Sequence, residues 1–191
     1  MKTTEQIMER LGYNRAWLEM GVVTPELLGE QWKIFQTSDD QNAEHYRHGA
    51  FIRFLNQQTE FSDTLLEDLL ALKDGDEHDM RVVRVNEILL SKRLSKQQLQ
   101  DFATRDELQL EASIQKIYMR QCVLEDLKQG GLTEAVFVQI QHSQDKYLHE
   151  LLFARADVSR EHLLWLLTQG QSKAIRNRVK QMLLQKRFRA T

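Results

Sequence analysis

The stretch LHELLFARADVSREHLLWLL, Leu148 to Leu167, reads as a helix, a short interruption and a second helix. Val158 precedes Ser159, and Leu163 and Leu166 follow at helical spacing. A serine hydroxyl before an amphipathic run caps a helix, because it accepts a hydrogen bond from a backbone N–H of the first turn. The apolar residue before the cap packs against the fourth helical position, as a hydrophobic staple. The stretch therefore predicts a helical hairpin whose second helix follows Ser159.

The same pattern occurs five times along the chain. In each copy an apolar residue precedes a hydroxyl residue, and an apolar side chain follows four positions later. In four copies a second apolar side chain follows seven positions after the hydroxyl residue. The Thr24 copy has Gln31 where the last apolar residue is expected, and Trp32 is predicted to replace it. Pro25 suits the first helical position, and Gln98 is predicted to complete a capping box with Ser95. The predicted caps are Thr24, Ser62, Ser95, Thr133 and Ser159.

A second apolar-periodic segment precedes each of the last four caps, so the repeating unit is predicted to be helix, tight turn and capped helix. The caps recur every 38, 33, 38 and 26 residues, a period typical of helical-pair repeats. One proline and eight glycines in 191 residues also favour helices. The sequence predicts an all-α protein.

At the level of its fold pattern the chain resembles the HEAT-like α-α superhelices, and among them the variant leucine-rich-repeat type. The segments FARADVSREHLLWLL and LLSKRLSKQQLQDF carry the resemblance, which covers about Thr24 to Phe188. It implies a right-handed solenoid of about five to six antiparallel helix pairs. The periods here are irregular, and turn prolines are absent except Pro25.

We expect a single helical-repeat domain over residues 1–191, with capping helices in 1–23, repeats in 24–170 and a basic C-terminal helix in 171–191. Two short helices, Thr4 to Leu11 and Asn14 to Met20, are predicted to end at Gly12 and Gly21. A final amphipathic helix is predicted from Lys173 to Phe188. Its apolar stripe consists of Ile175, Val179, Met182 and Leu183.

Charge is unevenly distributed along the chain. The formal net charge is −2, but residues from Ser172 onward carry +7 and contain no acid, so the preceding residues carry −9. Such asymmetry is typical of a polyanion-binding end, whereas a solvated terminal helix is the alternative interpretation. The first residues lack an apolar core of signal-peptide length, and no apolar run approaches ~18 residues. We therefore expect a cytoplasmic protein with no membrane contact.

Three groups of residues have side chains that could bind a metal or react. A calcium loop starting at Asp74 fails at His78, Asp79 and Val85, which favours a turn followed by acids in the first turn of the next helix. His45 and His48 lie one helical turn apart, but a zinc site needs three or four ligands and no other pair has matching spacing. His142, His149 and His162 could meet in space, although ordinary surface or partly buried histidines are expected. The single cysteine, Cys122, excludes an internal disulfide and is predicted to be buried and inert.

No nucleotide, hydrolase or zinc-protease motif occurs, and the sequence predicts no catalytic residue, metal or cofactor. Trp17, Trp32 and Trp165 fall in apolar stripes and are predicted to pack in the core.

The sharpest functional hypothesis concerns a ladder of arginines on one surface. Arginine side chains bind carboxylates and phosphates in a bidentate manner, whereas ordinary solvated arginines paired with nearby acids are the alternative. The candidate partner-binding residues are Arg47, Arg53, Arg81, Arg84, Arg120, Arg155, Lys173, Arg176 and Lys180.

The sequence is compatible with three functions from different classes. The first is a non-catalytic scaffold that binds a protein partner through its concave face, as a monomer or weak homodimer. The alternative is a nucleic-acid-binding protein that uses the basic C-terminal helix, or a relative of the HEAT-like DNA-repair glycosylases. The slightly acidic composition disfavours nucleic acid as the partner. An enzymatic site assembled from several repeats is a third possibility that no motif supports.

Overall fold

The computed structural model describes residues 2–75 and 79–188. Within these residues twelve α-helices are joined by short connections, and no strand forms. The all-α prediction is therefore confirmed. The helices are α1 (Thr4–Arg10), α2 (Arg15–Glu19), α3 (Pro25–Thr37), α4 (Ala43–Gln57), α5 (Asp63–Ala71), α6 (Arg81–Leu90), α7 (Lys96–Asp101), α8 (Ala112–Gly130), α9 (Glu134–Ser143), α10 (Lys146–Leu151), α11 (Arg160–Gln169) and α12 (Lys173–Leu183). Single 3-10 turns occupy Phe102–Thr104, Asp106–Gln109, Leu152–Ala154 and Lys186–Phe188.

All five predicted caps lie at helix N-termini. Each hydroxyl accepts a hydrogen bond from the backbone N–H three residues later, at the starts of α3, α5, α7, α9 and α11. Gln98 completes the predicted capping box with Ser95. A second capping box, which the sequence did not predict, pairs Ser159 with His162, whose Nδ1 accepts the Ser159 N–H at 3.0 Å.

The staple residues are buried at most positions. Before the caps, Val23, Phe61 and Val158 are buried, whereas Leu94 and Leu132 are half-buried. The residues four positions after the hydroxyls, which are Leu28, Leu66, Leu99, Phe137 and Leu163, all belong to the core.

The prediction that Trp32 replaces Gln31 in the Thr24 copy is wrong. Gln31 itself occupies the buried position, and Trp32 lies beside it only half-buried. The Gln31 amide is satisfied there, because Oε1 accepts from the Tyr13 hydroxyl at 2.8 Å and Nε2 donates to the Tyr46 carbonyl at 2.9 Å. A polar side chain therefore replaces an apolar one at no loss of hydrogen bonding.

The chain divides into two compact units, residues 1–117 and 118–191, and α8 runs from one into the other. In the first unit α1 packs on α3, and α6 packs on α4 and α5. Its most deeply buried large side chains include Trp17, Phe51, Phe102, Leu66 and Ile88.

The second unit has a continuous apolar core that α8, α9, α10, α11 and α12 supply. Helices α11 and α12 pack against each other in this unit. The predicted final helix ends earlier than expected, at Leu183, and a 3-10 turn places Phe188 in the core. Ile175, Val179 and Met182 are buried as predicted. The boundaries predicted for capping helices, repeats and C-terminal helix stay a prediction.

Candidate functional site

A cluster of buried charged groups surrounds Asp74 in the first unit. Asp74 lies in the connection between α5 and α6, and its side chain has no exposed surface. Its Oδ1 lies 3.0 Å from Arg47 Nε on α4, and its Oδ2 lies 2.5 Å from Arg84 Nη1 on α6. The Met80 backbone N–H donates to the same Oδ2 at 2.8 Å. The Asp74 carboxylate therefore links α4 to α6 and also binds the backbone just before α6 begins.

Backbone carbonyls complete the binding of both guanidinium groups. Arg47 Nη1 donates to the Leu11 carbonyl at 2.7 Å, and Arg84 Nη2 donates to the Leu72 carbonyl at 2.6 Å. The Arg84 guanidinium also lies 5.7 Å from the Trp17 ring centre. Leu11 is the C-terminal cap residue of α1, and Trp17 lies in α2. The cluster therefore joins the N-terminal helices to α4 and α6.

Asp79 supplies a second carboxylate at the edge of the cluster. Its Oδ1 lies 2.9 Å from Arg84 Nη2. Burial alone would raise the pKa of Asp79, but the Arg84 charge and its hydrogen bonds hold that pKa below the ordinary value. The cluster of Arg47, Arg84, Asp74 and Asp79 thus contains two cations and two carboxylates, which compensates the cost of burial.

These contacts correct the prediction for two of the candidate partner-binding arginines. Arg47 and Arg84 are buried in the cluster, so they line no partner-binding surface. Two arginines and a backbone N–H engage the Asp74 oxygens, and this cationic environment does not suit calcium. The expected acids in the first turn of the next helix are also wrong, because α6 begins at Arg81 after Met80 and has none. Asp76 and His78 of that prediction lie outside the described residues.

Three further predicted arginines are paired with carboxylates. Arg81 Nη2 lies 2.7 Å from Glu107 Oε1 in the first unit. In the second unit Arg120 Nε lies 2.7 Å from Asp145 Oδ2, and its guanidinium is 5.3 Å from the Tyr147 ring centre.

Arg155 binds Asp157 through two parallel contacts of 2.8 and 2.5 Å. This pairing is the main reason that the pKa of Asp157 falls to about 2. Asp157 also accepts the Leu132 backbone N–H at 2.8 Å, so the pair fixes the turn before α9.

Arg53 differs from the other predicted arginines. It is exposed on α4 and lines a shallow pocket with Phe54 and with two acids of α3, Glu26 and Glu30. The predicted ladder therefore separates into buried, paired and exposed arginines, and its partner-binding role stays a prediction for the exposed ones.

The histidines form no metal site within the described residues. His45 Nδ1 lies 2.8 Å from Asp40, and His48 Nε2 lies 3.1 Å from Glu87, so each faces its own carboxylate.

In the second unit His149 is fully buried, which is deeper than the sequence predicted. Its ring lies edge-on to Trp165 at 5.3 Å, and Trp165 in turn contacts Phe137 at 5.5 Å. Burial lowers the pKa of His149. The His162 ring lies 4.2 Å from the same Phe137, so both histidines belong to one aromatic cluster.

The remaining predicted core residues differ in depth. Trp17 is buried, as predicted, whereas Trp32 and Trp165 are half-buried. Cys122 is half-buried on α8, and burial raises the pKa of its thiol, which disfavours the reactive thiolate.

Helix α12 and the 3-10 turn after it carry six positive charges of the second unit. Lys173 and Lys180 are exposed, while Arg176 is half-buried and donates to the Gly170 carbonyl at 2.5 Å. No residue from 172 to 188 is acidic. In the described part of the chain, no carboxylate pairs with Lys173, Arg176, Arg178, Lys180, Lys186 or Arg187.

The two units have opposite net charge. Residues 1–117 contain 14 Lys and Arg against 21 Asp and Glu, for a formal charge of −7. Residues 118–191 contain 12 against 7, for a formal charge of +5. The positive charge of this unit comes from residues 172–191, which carry +7, because residues 118–171 carry −2.

Comparisons with protein families, curated proteins and solved structures find no match to this chain. Among the described residues, no helix has both the length and the apolar character needed to cross a membrane.

Proposed function

We propose that the protein is a non-catalytic helical-repeat scaffold that binds a protein partner through the concave face of an α-α superhelix. Five helices begin with the same staple and cap, which supports a repeated structural unit. Stacked helical pairs present extended surfaces, and such surfaces bind protein segments in other repeat proteins.

The observation that carries the proposal is the contrast between two sets of cations. The deeply buried arginines, Arg47 and Arg84, bind carboxylates within the fold and stabilise it. On α12, Lys173, Arg178 and Lys180 face solvent, and none of them has a carboxylate partner among the described residues. Exposed unpaired cations beside a rigid helical core are available to a partner, whereas the buried groups are already neutralised.

Reconstitution of a complex tests this function. The full chain is used to capture proteins from native lysate, and each candidate is purified and mixed with the full chain. We expect a complex of defined stoichiometry that persists after nuclease treatment and weakens as salt increases. The surface variants Arg53→Glu and Lys180→Glu, one in each unit, then locate the contact, since neither side chain is buried. If no stoichiometric protein complex can be reconstituted, the scaffold function is wrong.

Nucleic-acid binding is the second candidate, and the acid-free sequence from Ser172 to Phe188 favours it. Six cations of this segment lie in the described residues, and each phosphate contact that they make would release a counterion. Titration of duplex and single-stranded DNA at about 50 mM salt, repeated at about 200 mM, decides between the candidates. Absence of binding at the lower salt rules out the nucleic-acid function.

A further inference from the structure

One line of side chains runs along the outer face of α12. Lys173, Asn177, Lys180 and Leu184 are spaced by four, three and four residues, so they project in the same direction from the helix. All except Leu184 lie within the helix, and Leu184 is its C-terminal cap residue with helical backbone angles. The opposite face, with Ile175 and Val179, is buried in the second unit. We call these four residues the lysine–leucine stripe.

The stripe combines charge with an exposed apolar side chain. Leu184 is 66% exposed, a larger fraction than for any other large apolar side chain in residues 2–75 and 79–188. Lys173 and Lys180 are exposed two helical turns apart, a separation of about 10 Å along the axis. Both lack a described carboxylate partner, so a partner that supplies carboxylates meets two accessible cations and one apolar contact.

We propose that the lysine–leucine stripe binds an acidic amphipathic helix of a partner protein. This inference rests on the proposed protein-binding function and adds a contact surface on α12 and a class of partner. Two carboxylates seven residues apart on the partner helix match Lys173 and Lys180. An apolar side chain four residues beyond one of them contacts Leu184, and burial of this apolar pair adds an apolar contact at one end of the stripe.

The position of Leu184 favours a protein over other polyanions. A phosphate backbone gains nothing from an exposed leucine at the end of its contact surface, and the stripe has no aromatic ring on which a base stacks. A lipid surface would require the apolar side chains of α12 to enter the bilayer, but Ile175, Val179 and Met182 are already buried in the core. The stripe thus offers a mixed apolar and basic surface of the kind found in protein interfaces.

A designed peptide tests the inference directly. The probe is a fluorescein-labelled helical peptide with the pattern Leu-x3-Glu-x6-Glu-x3-Leu, which matches the stripe in either direction. The other positions are alanine and glutamine. A peptide of the same composition in scrambled order, oligo(dT) and phosphatidylserine vesicles serve as comparison ligands. Binding is measured by fluorescence anisotropy, or by co-sedimentation for the vesicles, with the full chain.

We expect Lys180→Glu and Leu184→Ser each to weaken binding of the patterned peptide about tenfold. The matched control is Arg178→Glu, which reverses an exposed charge on another flank of α12 and should change affinity by less than about twofold. The side chains of Arg178, Lys180 and Leu184 are all exposed. Far-ultraviolet circular dichroism verifies that each variant keeps its helices.

Three results would overturn the inference. The first is equal binding of the patterned and scrambled peptides, and the second is an equal loss for Arg178→Glu and Lys180→Glu. The third is Lys180-dependent binding of oligo(dT) or vesicles without binding of the peptide. A reconstituted partner complex that tolerates Lys180→Glu and Leu184→Ser would disprove the stripe but leave the scaffold function intact. Failure of the scaffold function would instead appear as the absence of any protein complex.

Discussion

Arg47 Nε lies 3.0 Å from Asp74 Oδ1, and neither side chain reaches solvent. Arg84 binds the other oxygen of the same carboxylate at 2.5 Å. Burial of one partner alone would cost several kcal/mol, so these three residues stabilise the first unit only together. The cluster therefore connects α4, α6 and the α5–α6 connection more tightly than any exposed ion pair would.

Removal of the Asp74 charge tests this interdependence. Asp74→Asn keeps the shape of the side chain but leaves two buried guanidinium groups with less compensation. We expect the free energy of unfolding of the first unit to fall by about 3–5 kcal/mol. Urea denaturation followed by circular dichroism measures the change.

The matched control is the exposed pair of Arg15 and Glu19, which lie 2.9 Å apart on α2. Arg15→Ala should cost less than about 1 kcal/mol, because solvent screens an exposed pair. If Asp74→Asn and Arg15→Ala have the same small effect, the cluster contributes nothing special to stability.

The caps give a second prediction. Ser62 accepts the Leu65 backbone N–H at 3.1 Å at the start of α5. Ser62→Ala should lower the free energy of unfolding by about 1 kcal/mol, because an N–H of the first turn loses its partner. Thr64→Ala, two residues later and exposed, should instead leave stability unchanged or raise it by up to about 0.5 kcal/mol through helix propensity. Equal destabilisation by both variants in urea denaturation would argue against a capping role.

The helix caps and the Asp74 cluster differ in how far the sequence predicts them. A cap is a local feature, since the hydroxyl, its N–H partner and the staple residue lie within five positions of one another. All five caps could therefore be predicted. The Asp74 cluster could not, because its arginines come from two helices and the acid lies in a segment that resembles a surface turn. Only tertiary packing brings Arg47 to Asp74.

The candidate surface on α12 was predictable for a similar reason. Lys173, Arg176 and Lys180 share one helical face by spacing alone, and the buried stripe opposite them is equally local. Leu184 falls on the same face as Lys173 and Lys180 by spacing, but the end of α12 was not predicted, because the sequence favoured a helix that continued to Phe188. The chain leaves helical geometry after Leu184 and returns Phe188 to the core.

Gln31 and Tyr13 provide a third prediction. The Tyr13 hydroxyl donates to Gln31 Oε1, and burial raises the pKa of Tyr13. Gln31→Leu restores the apolar residue of the repeat but removes a partner of the Tyr13 hydroxyl and of the Tyr46 carbonyl. We expect each of Gln31→Leu and Tyr13→Phe to cost about 1–3 kcal/mol, and the double variant to cost clearly less than their sum. Strict additivity in urea denaturation would show that the two side chains are not coupled.

Adjacent glycines at the end of α8 provide a fourth prediction. Gly131 has a φ of +73°, and a Cβ there would lie 3.1 Å from the Asp157 carboxylate. Gly131→Ala should cost about 1–2 kcal/mol because an L-residue is strained in the left-handed region. Gly130 is helical, and a Cβ there meets only the Thr133 methyl at 4.0 Å, so Gly130→Ala should stabilise by up to about 1 kcal/mol. Opposite signs in thermal or urea denaturation are expected, and equal effects would contradict the assigned backbone geometry.

The buried His149 makes the stability of the second unit depend on pH. Burial is the main cause of its lowered pKa, which the nearby Asp145 charge and the Ile140 carbonyl oppose. The unfolded chain therefore binds a proton at a higher pH than the folded chain does. Above the unfolded pKa of about 6.5 this difference has no effect on stability, and the free energy of unfolding decreases as the pH falls from there towards the folded value. The slope from this one residue is at most about 1.4 kcal/mol per pH unit.

Urea denaturation at a series of pH values from about 7.5 to about 5 measures this slope. Asp157, with a pKa of about 2, titrates well below that range and does not contribute to it. His149→Gln should flatten the dependence for the second unit, whatever its effect on stability at neutral pH. His142→Gln, which changes an exposed histidine on α9, should leave the slope as it is in the unmodified protein. A slope that His149→Gln does not reduce would show that another group controls the acid sensitivity of this unit.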